Sequence, residues 1–212
     1  MAILKVNPTR IALLGLKKEL KVAKKGHKLL KDKRDGLVKK FMAIIYEAKE
    51  LRESVESRLG SAFDSYTKAS SMTAAAALET AFMVPNAKID LGVVINNVMS
   101  VKIPEFSIEK HGSAFSYGIL ETTGDLDNAM VKFDEVIVDI LRLAELEKAA
   151  ENLAEEIEKT RRRVSALENV RIPNLNDTIK FITMQLDERG RDAVVSTMRV
   201  KAMIMAKEEA GE

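Results

Sequence analysis

Apolar residues recur by threes and fours along the first part of the chain: Leu13, Leu16, Leu20, Ala23, His27, Leu30, Arg34, Leu37, Phe41, Ile44, Ala48, Leu51 and Val55 hold the repeating positions. A spacing of about 3.5 kept over so many turns is a coiled-coil heptad. Asn7 can cap, and Pro8 suits the first helical position, where its missing N–H costs nothing. No proline follows until Pro85. The pattern therefore predicts one helix over 8–80, roughly 110 Å long. Gly15, Gly26, Gly36 and Gly60 each weaken such a helix by about 1 kcal/mol relative to alanine. They are either close approaches of a neighbour or tolerated surface positions.

After Pro85 the period changes. Val98, Ser100 and Lys102 alternate with Val101 and Ile103, and β-branched residues dominate, which is a strand signal. Ile89–Ile95 and Val98–Ile108 can pair as a hairpin with Asn96 and Asn97 near its turn. Pro104 argues for an edge or a strand end. A loop with Gly, Ser and His follows, from Glu109 to about Tyr117. The helical period returns near Gly124. Leu126, Met130, Phe133, Ile137, Ile140 and Ala144 form one seam. Leu146, Ala150, Leu153, Ile157, Thr160, Val164 and Leu167 continue it after a small register shift. Pro173 should bend this helix by removing a hydrogen bond. Leu175, Ile179, Ile182 and Leu186 resume the seam, Asp187–Gly190 loosen it, and the final residues fray.

Neither long helix can bury its stripe alone, and each covers the other if the chain folds back at the insert. The predicted fold is mainly α: a long antiparallel two-helix coiled-coil hairpin with a small β-hairpin-containing knob at the bend. It forms one elongated domain of residues 1–212, divided into an N-terminal helix (8–80), the insert (81–120) and a C-terminal helix (121–212).

Composition agrees with this pattern. Charged residues make up 31 %, aromatics only 5 %, and there is no Trp. The absence of cysteine leaves no disulfide framework and no thiolate metal site, and fits a reducing compartment. No apolar run approaches the ~18 residues of a membrane span. The N-terminus is too short and polar for a signal peptide. These features predict a cytoplasmic protein with no direct membrane insertion. Net charge is only +2, but residues 1–40 hold 13 Lys/Arg against 3 Asp/Glu, and residues 41–160 hold 11 against 21. A basic arm and an acidic middle predict partners of opposite character.

Catalytic chemistry finds no footing. There is no phosphate-cradling G-x-x-x-x-G-K-[ST] stretch. His27 and His111 are far apart in sequence and outside any H-x-x-x-H pair, and His27 falls on the seam, where a packed role is expected. The carboxylate pairs Glu155-Glu156 and Glu208-Glu209 sit on helices with no pocket in prospect. The reading is a non-enzyme with no catalytic residue, cofactor or metal. Nucleic-acid binding fits poorly, because the basic arm lacks aromatic stacking platforms.

Three blocks carry a resemblance: N-P-T-R at Asn7–Arg10, G-H-K-L-L-K-D-K-R-D at Gly26–Asp35, and R-R-R-V-S-A-L-E at Arg161–Glu168, in that order. With the central N-V-M-S-V-K-I-P they make nearly the whole chain similar to the D-subunit of the V-type and archaeal A-type rotary ATPases. Ser165 departs from the Asn that members commonly carry. The resemblance implies a central-stalk rotor shaft. It would sit in the catalytic hexamer of the head, carry the F-subunit low on its flank, and seat on the funnel-shaped subunit above the membrane ring. Torque would pass between the head and a proton- or sodium-translocating ring, leaving the chain peripheral on the membrane through the complex. It also suggests that Arg10, Lys24, Lys28, Lys31, Lys33, Arg34, Arg161, Arg162 and Arg163 face the head. Phe82, Met83, Val84, Phe115 and Tyr117, beside the knob, would be covered by the F-subunit.

With Arg10 placed near the level of Met203, the three arginines Arg161–Arg163 fall opposite residues 50–52, among Glu47, Glu50 and Glu53. Successive side chains point about 100° apart, so one or two can pair across the coil and the rest face outward. The same register sets residues ~173–196 opposite the basic arm. Competing readings are a prefoldin-like coiled-coil chaperone, which would expose apolar tips, and a generic coiled-coil tether.

Overall fold

The computed structural model describes residues 5–83, 86–113, 115, 117–118 and 122–209, with side chains as far as residue 206. Six named elements follow in order: α1 (Arg10–Met72), α2 (Ala75–Phe82), β1 (Lys88–Val98), β2 (Val101–His111), α3 (Gly124–Ala166) and α4 (Ile172–Glu209). The predicted class is thus observed: long helices on either side of a two-stranded antiparallel ribbon. By contacts the chain divides into two units: Met1–Arg34 with Lys159–Glu212, and Asp35–Glu158.

In the first unit the start of α1 packs on α4. Leu16, Leu175 and Ile182 form the core, flanked by Leu13, Leu20, Ala23, Ile179 and Leu186. Arg171 pairs with Glu19, and the Arg189 guanidinium donates to the Pro8 carbonyl at 3.0 Å. These contacts fix the antiparallel register: partner numbers add to about 195, not the 213 implied by setting Arg10 level with Met203. Heptad counting gives a stripe but leaves sliding by whole heptads undetermined, and only the specific polar contacts resolve it. The chain passes from α3 to α4 through a π-helical turn, Leu167–Arg171. Pro173 lies two residues beyond it and has no N–H to give to an i−4 carbonyl. The i−5 bond from Ile172 N–H to the Leu167 carbonyl closes the turn instead. The prolyl disturbance is therefore taken up as a wider turn with the helix continuing. Gly190 does not end α4 either.

His27 faces this turn. Its Nε2 is buried without a hydrogen bond, and a Glu168 carboxylate oxygen lies 3.5 Å away. It is an electrostatic neighbour at a distance too long for a well-made hydrogen bond.

In the second unit α1 packs on α3, and α2 and the ribbon close over them. One core joins Leu37, Val101 and Leu153, with Phe41, Ile44, Ile103 and Ile157 against them. Another joins Ala69, Leu78 and Leu126, with Tyr66 and Tyr117. The N-terminal seam is observed as read: none of its thirteen members is exposed. The first α3 seam needs correction. Ile137, Ile140 and Ala144 are exposed, whereas Ala129, Val136 and Ala149 are buried. Two adjacent apolar stripes run there, and the one built of smaller residues is the buried one.

The first helix is shorter than expected, ending at Met72. The Thr73-Ala74 step, with Ala74 extended at φ −63° and ψ 138°, separates it from α2. Pro85, the expected terminator, and residue 121 lie outside the described residues. The ribbon is longer than expected, and its turn is Met99-Ser100 rather than Asn96-Asn97, which sit inside β1 paired with Ile103 and Lys102. Both turn residues have positive φ, 55° and 70°. That conformation usually recruits Asn or Gly, so the dipeptide carries no turn signal in its composition. The Met99 side chain lies over Gly36, where an added Cβ would meet Met99 Cε at 3.0 Å. Gly15, Gly26 and Gly60 have nothing within 4 Å of such a Cβ.

Candidate partner-binding surfaces

The observed register changes what faces the basic arm. Residues 17–34 of α1 carry nine Lys/Arg and two acids. Opposite them lie residues ~161–178, which add Arg161, Arg162, Arg163 and Arg171 against Glu168 and Asp177. Glu19 is already engaged by Arg171. The cationic surplus is therefore larger than the sequence register implied. Lys24, Lys28 and Lys31 are exposed and share one helix face at i, i+4 and i+7. Lys33 and Arg34 are half-buried and have partners of their own. Arg161, Arg162 and Arg163 are exposed at the level of residues 32–34, among further cations, not beside Glu47, Glu50 and Glu53. Those glutamates belong to the other unit, where Arg52 takes Glu147 at 2.5 Å. Arg10 is exposed at the start of α1, about 21 Å along the helix from Lys24.

A second surface was missed. Because Arg189 meets Pro8, α4 continues for about 30 Å past the start of α1. Residues 190–206 are all exposed. Val194, Val195, Met198, Val200, Met203, Ile204 and Met205 stand out there as exposed large apolar side chains. At 100° per residue they leave no gap wider than about 80° around the helix. Exposed apolar side chains spread all round a helix, here interleaved with Arg191, Asp192, Arg199 and Lys201, suit a partner that surrounds it. The loss of amphipathic period after Leu186 was a usable signal, hidden by the assumption that α1 covered this stretch.

Near the knob, Phe82 and Met83 are exposed, as is Phe115. Val84 lies outside the described residues. Tyr117 is turned inward: its ring joins the second-unit core and its hydroxyl donates to Asp127 at 2.6 Å. Burial, then the Asp127 hydrogen bond and charge, push its pKa well above the usual tyrosine range. A groove of about 550 Å³ passes Phe82, Phe115, Tyr117, Met130 and Phe133. Its charged rim includes Lys110, whose ammonium is held by Asp134 at 2.9 Å.

Among the described residues, no group of three or more His, Cys, Asp and Glu could hold a metal ion, and no helix is long and apolar enough to cross a membrane. The surfaces are suited to protein contact. Paired long helices, a ribbon and broad cationic and apolar faces define a helical assembly subunit. Comparison with known proteins names the family. Residues 12–202 match the family described as the ATP synthase D-subunit. The chain is similar to the V-type ATP synthase D-subunit of Thermoanaerobacter sp. strain X514, with 47 % identity over 97 % of this chain and 99 % of the relative. It is similar to the corresponding protein of Fusobacterium nucleatum, with 47 % identity over 96 % and 98 %. For that of Clostridioides difficile strain 630 the figures are 45 % over 98 % and 95 %. The chain belongs to the ATP synthase D-subunit family.

Proposed function

We propose that the chain is the central-stalk rotor subunit of a V-type ATPase or synthase, transmitting torque between the catalytic hexamer and the membrane ring without catalysing a reaction itself. One observation carries this reading: α4 ends in a length of helix whose exposed apolar side chains are spread around its whole circumference, with no partner among the described residues. A bore that surrounds a helix satisfies such an end, whereas a flat partner covers only one side. The uninterrupted backbone of α1 over 63 residues supports the mechanical part, since a continuous hydrogen-bonded ladder resists twisting. Unlike faces around the stalk would favour different states of each catalytic site in turn, coupling nucleotide affinity to angle. The chain would be peripheral on the membrane through the complex.

Lower down, Phe82, Met83 and Phe115 with their groove are suited to the F-subunit, and the funnel-shaped subunit completes the partner set. Family membership stands against the chaperone and the generic tether. The test is the triple variant Val194→Asp, Val195→Asp, Val200→Asp, whose positions lie about 100–140° apart around the helix. Burying each apolar side chain contributes roughly 1.5–3 kcal/mol, so affinity for the catalytic hexamer should fall at least about 100-fold. Helical content should hold. Wild-type assembly and coupled turnover by this variant would refute the bore reading.

A further inference from the structure

The two-stranded ribbon has two outer edges, and among the described residues only one of them is covered. On β2 the outward groups are engaged by α3: the Phe106 N–H donates to a Glu145 carboxylate oxygen at 3.2 Å, and Asn152 Nδ2 donates to the Lys102 carbonyl at 2.9 Å. Pro104, which has no N–H, occupies another position of the same parity. In an antiparallel pair, residues whose backbone groups point outward face partners that also point outward. Phe106 pairs with Val93, Lys102 with Asn97, and Pro104 with Ile95. The N–H and C=O groups of Ile89, Leu91, Val93, Ile95 and Asn97 must therefore lie along the free edge of β1. A two-residue turn at Met99-Ser100 gives the same parity, since it makes Val98 and Val101 a hydrogen-bonded pair.

This edge lacks the usual protections. Between Leu91 and Ile95 there is no proline and no charge, and no residue of β1 breaks the pairing with β2. Leu91, Val93 and Ile95 share one face and are 44 %, 55 % and 63 % exposed. Their pairing partners Ile108, Phe106 and Pro104 extend that apolar face across the ribbon. The opposite face is acidic: Asp90, Glu105 and Glu109 stand there against Lys88 and His111. Gly92, the β1 residue opposite Ser107, adds no side chain to that face.

We propose that the outer edge of β1 accepts an added strand from a partner protein. Main-chain hydrogen bonds would give affinity, and alternation of apolar with basic side chains would match the two faces. The inference rests on the ribbon alone and stands or falls independently of the rotor assignment.

The probe is a synthetic heptapeptide alternating lysine and valine, added to the full-length chain, with amide hydrogen exchange read residue by residue. Exchange at Leu91, Val93 and Ile95 should slow by about tenfold or more, while Gly92 and Val94, already bonded within the ribbon, stay unchanged. The same peptide N-methylated at alternate amides should have no effect. Val93→Pro removes one outward donor and should abolish the protection. Val93→Lys, which keeps the backbone donor, should weaken it by charging the apolar face. Absence of slowing in wild type, or equal slowing by the N-methylated peptide, would overturn the proposal. So would concentration-dependent dimerisation that protects these amides without peptide, which would make the occupant a second copy.

Discussion

Both units pair α1 with a helix from later in the chain, but they satisfy their polar groups differently. Asp35–Glu158 settles much of its charge internally: Arg52 takes Glu147, Arg58 takes Asp139 at 2.8 Å, Lys110 takes Asp134, and Lys132 donates to Ser65 at 2.8 Å. The unit made of Met1–Arg34 and Lys159–Glu212 also pairs some of its cations, Arg171 with Glu19 and Lys33, Arg34 and Arg162 with partners of their own, yet it differs in two ways. It stacks basic residues on both helices at one level and, among the described residues, leaves the apolar-rich end of α4 uncovered. The first arrangement closes a structure on itself, and the second requires something outside the chain. Where a paired-helix protein keeps unspent charge and unspent apolar surface is therefore a guide to where its partners act.

The sharpest way to break the comparison is through the cores. Leu175 and Leu37 are each fully buried, one in each unit. Leu175→Ala and Leu37→Ala should each cost about 2–5 kcal/mol. Hydrogen exchange should show each loss confined to its own unit. Equal acceleration in both would show that they unfold as one body.

Next in size is the reversal of Lys24, Lys28 and Lys31 to Glu. If the basic surplus meets the catalytic hexamer, affinity should drop by about tenfold or more, with helical content intact. The difference from wild type should shrink at high salt, because exposed charges are screened beyond ~8–10 Å. Unchanged affinity from low to high ionic strength would make these lysines agents of solubility only.

Double-mutant cycles probe the acidic unit. The Arg58–Asp139 pair should couple by about 1 kcal/mol, because Asp139 is largely screened from solvent at 18 % exposure, whereas the open Arg52–Glu147 pair should give a few tenths. Equal values would mean that local exposure does not set their strength.

The smallest effect separates two glycines. Gly26→Ala adds a methyl in open space and should stabilise by up to about 1 kcal/mol in thermal melts. Gly36→Ala gains the same propensity but must displace the Met99 tip at 3.0 Å, so its net change should lie near zero. A full gain at both positions would show that the ribbon tip is not tightly seated.

Much of this fold could be read from periodicity. The thirteen seam positions of α1 and the change of period at the ribbon needed no tertiary knowledge. Three things were not legible, each for a physical reason. Helix register was invisible because a heptad repeats, and it took Arg171–Glu19 and Arg189–Pro8 to break the degeneracy. The turn was misplaced because Asn96-Asn97 looks more turn-like than Met99-Ser100, whose left-handed backbone accompanies a seat on Gly36. The α3 seam was misjudged because two neighbouring stripes are both apolar. Of the candidate site, the basic residues were found, but the company of Arg161–Arg163 and the bare end of α4 both depended on that register.

The Met99-Ser100 turn also bears on the order of folding. Two non-glycine residues in the left-handed region cost roughly 1–2 kcal/mol each, so the isolated ribbon is a poor nucleus. Its closure gains from Met99 resting on an α1 that has already formed. The helix pair should then dominate the transition state, with the ribbon zipping afterwards. Substitutions in the ribbon should mainly raise the unfolding rate and leave the refolding rate nearly untouched.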